Sequence, residues 1–192
     1  NKSMEVFGDR WRAYREKLEK NWRAVVSDGD TVIVPGDISW GMNLSETLTD
    51  LRFIDTLPGK KLLGKGNHDF WWTTVSKMKA FLAENGITTI DFLYNNAYAF
   101  EDCVVAGTRG WFQDKSMQKT VGEVDYDKIV NREVQRLSMS LDAAERLRTE
   151  AGIPDLPILV FLHFPPVFGD FLSRETVDIL HAHQVTDCYF GH

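Results

Sequence analysis

Cysteine is scarce in this chain: Cys103 and Cys188 are the only two among 192 residues. Cys188 lies in a buried-looking strand and Cys103 opens another. Both read as small apolar packing residues rather than a disulfide, and a reducing, cytoplasmic setting is expected. Long hydrophobic runs are also missing. No stretch approaches the length of a membrane span, and no secretory signal is visible at the start. Excess positive charge is lacking as well, with 28 acidic against 22 basic residues and a net charge of −6. That balance argues against broad attraction to nucleic acid or to an anionic membrane. No linker, repeat or low-complexity stretch divides the sequence, so a single domain over residues 1–192 is expected, with ample length for a core.

What is present alternates between two periodicities. Trp11, Tyr14, Leu18, Trp22 and Val25 recur at helical spacing, as do Leu44, Leu48, Leu51, Ile54 and Leu57. Val75, Met78, Phe81 and Leu82 mark a third helix, and Asn85-Gly86 ends it. Residues 88–94, 97–101 and 103–107 read as consecutive strands, and residues 110–122 as a loop. A long amphipathic helix is expected over residues 125–150, and a shorter one over 173–182. The pattern is α/β throughout. The strand-rich middle is expected to form a second sheet, giving a layered sandwich with helices outside.

Four short apolar runs end in residues of ligand type. Thr31–Val34 leads through Pro35 to Gly36-Asp37, and Lys61–Lys65 leads to Gly66-Asn67-His68-Asp69. Pro157–Leu162 leads to His163, and Asp187–Phe190 leads to Gly191-His192. Runs this short and unalternating suit strands buried on both faces. Were the strands to share a sheet, Asp37, Asn67, His163 and His192 would gather at one rim. An Asn carbonyl oxygen can bind a metal, and an adjacent His can move a proton. Taken singly, each motif has another reading. Gly36-Asp37 is also a common turn, Asp69 a helix cap, His163 a strand-end His with a satisfied hydrogen bond, and His192 a terminal residue.

In their order, Gly-Asp, Gly-Asn-His-Asp, a lone His and Gly-His, the four motifs resemble the calcineurin-like metallophosphoesterases. The Trp-rich surroundings of Asp37 and His68 are similar to those in a group of bacterial phosphohydrolases. The resemblance runs from Gly36 to His192 and implies a layered αββα sandwich with two mixed sheets. It implies that Asp37 bridges two divalent metal ions and that Asn67, His163 and His192 complete one of the two sites. His68 would be the catalytic His, outside the metal shell. Such an enzyme hydrolyses a phosphomonoester or phosphodiester with a metal-activated water. The mixed donors suit Mn, Fe or Zn. Family members build the second metal site from an Asp-x-His pair and a further His after Gly-His. Neither is in this sequence, so the second site is incomplete and a chain trimmed at both ends is expected. The rival reading is a non-catalytic interaction module with an incomplete metal site.

Secondary candidates follow from position alone. Arg109, after a strand-like run, could pair with a phosphoryl oxygen or make a surface salt bridge. Trp40, Trp71 and Trp72 flank the motifs and read equally as pocket wall or as core. His181 and His183 read as residues at a helix C-terminus.

Overall fold

The computed structural model describes residues 4–111 and 126–192. Most of the 110–122 loop expected from the sequence therefore lies outside the described residues. The chain divides into two compact units. One takes the residues up to Leu63 together with Asn67–Phe92, and the other takes Gly64–Gly66 and Leu93–His192.

The first unit is built from β1 (Thr31–Val34), β2 (Lys60–Leu63) and β3 (Ile90–Phe92) with three helices, α1 (Tyr14–Val25), α2 (Leu44–Asp55) and α3 (Val75–Glu84). The strands form a parallel sheet in the order β1-β2-β3, with Val34 opposite Leu63 and Leu63 opposite Phe92. Parallel neighbours need a crossover, and α2 and α3 supply the two here. Helix α2 starts where Asn43 accepts the amide of Glu46, while the Glu46 carboxylate takes the amide of Met42 at 2.9 Å. Each side chain thus satisfies backbone donors that the first turn leaves open. Leu51, Leu63, Met78 and Phe92 are fully buried and pack with Trp71. Burial of side chains this size contributes roughly 1.5–3 kcal/mol each.

Two expectations are corrected in this unit. The first helix begins at Tyr14 rather than Trp11. Trp11 closes a 3-10 turn (Asp9–Trp11), and Ala13 is left-handed at φ 52°, which interrupts the helical spacing. The strand expected over 88–94 shortens to β3 and joins β1 and β2, not the strands that follow it. β1 is half-buried along its whole length rather than buried on both faces, since it pairs only with β2 among the described residues.

The second unit holds β4 (Asn96–Ala99), β5 (Val104–Thr108), β6 (Ile158–Leu162) and β9 (Asp187–Phe190) in that order. β4 and β5 are antiparallel, whereas β5–β6 and β6–β9 are parallel. Their crossovers contain α4 (Tyr126–Glu150) and α5 (Arg174–Ala182). Leu137, Leu141 and Ala144 of α4 meet Val104, Ala106, Val160 and Leu162 of the sheet in one apolar cluster. Ser140 sits in that buried stripe because its hydroxyl takes the Gly107 amide at 2.8 Å and reaches the Asn96 carbonyl at 2.6 Å. A two-stranded hairpin, β7 (Val167–Phe168) with β8 (Phe171–Leu172), follows His163. No helix among the described residues is long and apolar enough to cross a membrane.

Candidate active site

The four strand ends do not share one sheet. Those of β1 and β2 carry Asp37 and Asn67-His68 in the first unit, and those of β6 and β9 carry His163 and His192 in the second. The strands thus divide between two sheets, as the resemblance implies, and the condition of one shared sheet is not met; among the described residues the first sheet is all parallel rather than mixed. Apolar runs alone do not say which strand each will pair with.

In the first unit the backbone after β1 turns sharply. Gly36 has φ 105° and Asp37 has φ 57°. A left-handed residue with a side chain is uncommon, though Asp tolerates it better than most. The turn exposes Asp37, and its carboxylate Oδ1 accepts the amide of His68 at 2.9 Å. Residues on two different strand ends are thereby tied together. Asn67 and His68 are half-buried beside this contact.

Asp69 is the residue whose role the sequence misled. It caps no helix. It is 2% exposed, and Oδ2 accepts the Asp37 amide at 2.9 Å. Its Oδ1 accepts the amides of Ile38 at 2.8 Å and Ser39 at 3.1 Å, and the Trp71 indole N–H at 3.0 Å. A buried carboxylate is tolerated when donors surround it in this way. The backbone donors lie some thirty positions away in sequence, so the one legible signal was an acid directly after Asn-His in a loop.

The three tryptophans separate by environment. Trp71 is 3% exposed, and Trp72 packs against Phe92 with ring centroids 5.3 Å apart, so both belong to the core. Trp40 instead stacks on the His68 ring.

In the second unit the ends of β5, β6 and β9 are laced by backbone bonds. The Arg109 carbonyl accepts from the amides of His163 and Phe164, each at 3.0 Å. The His163 carbonyl accepts from Gly191 at 3.2 Å and His192 at 2.9 Å. His163 is buried and His192 exposed, and their ring centroids lie 5.1 Å apart. Phe164 contacts both rings at 4.8 Å. The Arg109 guanidinium lies over the rings of Phe164 and Trp111, at 5.3 and 5.2 Å. Contacts of this kind favour the guanidinium over the aromatic faces, and one of the two rings, Phe164, also contacts both imidazoles. His181 and His183 fall at the end of α5, where His183 Nδ1 lies 3.4 Å from a Glu145 carboxylate oxygen.

The family described as calcineurin-like phosphoesterase matches residues 7–192 of this sequence. Two solved structures are similar to it. TT1561 of Thermus thermophilus is 15% identical, with 92% of this chain and 74% of that one covered at a TM-score of 0.54. The protein of unknown function AQ665 from Aquifex aeolicus is 17% identical, with 94% and 76% covered at a TM-score of 0.44. No curated protein matches the sequence significantly. The family match and the likeness to TT1561 support the layered α/β sandwich expected from the motifs.

Proposed function

We propose that this chain, which belongs to the calcineurin-like phosphoesterase family, is a metal-dependent phosphohydrolase acting on a small phosphomonoester or phosphodiester. The family implies divalent-metal binding. The donor chemistry of the residues fits such an ion. Asp37 offers an exposed carboxylate, and His163 and His192 offer two imidazoles side by side. With the carbonyl oxygen of Asn67 the set mixes harder and softer donors, which suits Mn, Fe or Zn. Asp37, Asn67, His163 and His192 would hold one such ion, and Asp37 would also serve a second, as the family resemblance implies. When bound, divalent ions polarise the phosphoryl group and generate a nucleophile at neutral pH.

The remaining chemistry belongs to side chains. His68 protonates the departing oxygen of the ester, a role worth about 10²–10⁴-fold in rate. Arg109, whose guanidinium lies over two aromatic rings, pairs with a phosphoryl oxygen. The net charge of −6 favours a small ester over a nucleic acid polymer.

The observation that carries this reading is the bond from the His68 amide to the Asp37 carboxylate at 2.9 Å. It ties the backbone of the residue proposed as proton donor to the carboxylate proposed as metal ligand. The test loads the protein with Mn, Fe or Zn and screens aryl phosphomonoesters and phosphodiesters. His68→Ala should lower turnover by about 10²–10⁴-fold while metal content, by elemental analysis, stays near that of the wild type. Equal turnover in the variant rejects the proton-transfer role. Metal binding with no turnover by the wild type on any ester would favour the non-catalytic module.

A further inference from the structure

We propose that Asp69 is a positioning residue: it holds Asp37 in the left-handed conformation that presents its carboxylate, and so governs divalent-ion affinity without touching the ion. The inference rests on the assignment of Asp37 as a ligand.

Three consecutive amides, those of Asp37, Ile38 and Ser39, converge on the one carboxylate of Asp69. Successive amides turned to one side form an anion-binding concavity. Here the anion is a side chain of the same protein. Both carboxylate oxygens accept from this loop, Oδ2 from residue 37 and Oδ1 from residues 38 and 39. The Trp71 indole, itself in the core, adds a further donor at 3.0 Å and fixes the carboxylate from behind. Asp37 is left-handed at φ 57°, a conformation that persists only when its surroundings determine it.

The arrangement is reciprocal. The side chain of Asp69 grips the backbone at Asp37, and the side chain of Asp37 grips the backbone at His68. The loops after β1 and β2 are therefore locked to each other from both sides. Loss of Asp69 leaves Asp37 with its carboxylate intact but its backbone free to leave the left-handed region. Asn at position 69 has one acceptor oxygen in place of two and turns an N–H₂ toward backbone N–H groups. It cannot serve residue 37 and residues 38–39 together.

Mn²⁺ alone, titrated into the whole chain and followed by the paramagnetic resonance of the free ion, reads the effect at a temperature where circular dichroism shows every variant folded. Asp69→Asn should raise the Mn²⁺ Kd at least tenfold. In an Asp37→Asn background the same change should add less than twofold, because residues acting through one another are not additive. A residue that merely supports the fold would leave the Kd unchanged. A residue that binds the ion directly would weaken binding further in the Asp37→Asn background. Either result overturns the proposal. Should Asp69→Asn not fold, Trp71→Phe decides: it removes one donor to Asp69 and should raise the Kd two- to fivefold, and an unchanged Kd overturns the proposal.

Should wild-type protein bind no Mn²⁺, the ligand assignment of Asp37 fails on its own. Amide hydrogen exchange then judges Asp69 separately. Faster exchange at residues 37–39 in Asp69→Asn, with the helices unaffected, supports the anchor; unchanged exchange there rejects it.

Discussion

The indole of Trp40 lies flat on the imidazole of His68, with ring centroids 4.2 Å apart and planes 7° from parallel. Phe70 meets the same imidazole edge-on at 6.1 Å and 80°. A ring stacked on one neighbour and met edge-on by another loses much of its rotational freedom. Contacts of this type contribute about 0.5–1.5 kcal/mol beyond burial. On the proposed role of His68 as proton donor, Trp40→Ala should lower kcat by about three- to tenfold with little change in KM, and Trp40→Phe should restore most of the loss. Steady-state kinetics on an aryl phosphate ester decides; a change confined to KM would assign Trp40 to substrate contact instead.

Lys61 is fully buried in β2, with its ammonium directed at the carbonyl of Leu57 and at Thr89 Oγ1, the latter at 2.9 Å. Burial pushes its pKa below the ordinary 10.5, against an opposing pull from Asp55. The unfolded chain then holds the proton more tightly than the folded one, so this group costs stability in full below the folded pKa, and the cost fades as pH rises from there through 10.5. Urea unfolding from about pH 8 upward should show wild type gaining stability relative to Lys61→Met as pH approaches 10.5. A difference that is flat with pH would contradict the depressed pKa.

Both cysteines are reduced, and burial pushes the Cys188 thiol up to about 11. Cys103 is also raised, by burial first and by neighbouring Asp102 second. Thiolate is the reactive form, so at pH 8 Cys188 should react with an aromatic disulfide reagent far more slowly than a free thiol. Both should react readily in urea. Rapid reaction of Cys188 in the native protein would contradict the raised pKa of its thiol.

Gly107 stands where strands β5 and β6 meet. A Cβ there would lie 2.5 Å from the Phe161 carbonyl oxygen and 2.8 Å from Leu93 Cδ2. The first obstacle is backbone and cannot rotate away. Gly107→Ala should destabilise the protein by about 1–3 kcal/mol or more, read as a lower urea midpoint. A variant as stable as wild type would mean the two strands can separate at that point.

Some of this was legible in the chain and some was not. Strand ends at Asp37, Asn67, His163 and His192 could be read because a short apolar run followed by a polar residue is a local pattern. Helices α2, α3 and α4 were legible for the same reason, through spacing that each segment carries within itself. Trp11 failed as part of α1 because a single left-handed residue, Ala13, ends the spacing without altering its apolar positions.

The sequence by itself determined most element types, the polar residues at strand ends and membership of the calcineurin-like phosphoesterase family. Pairing partners, and with them the division of the strands into two sheets, were decided only in three dimensions, because a parallel strand carries no mark of its neighbour. The same holds for Asp69, whose backbone donors are brought to it by the β1–β2 register, and for Trp40, which differs from Trp71 and Trp72 only in what the fold places against its ring.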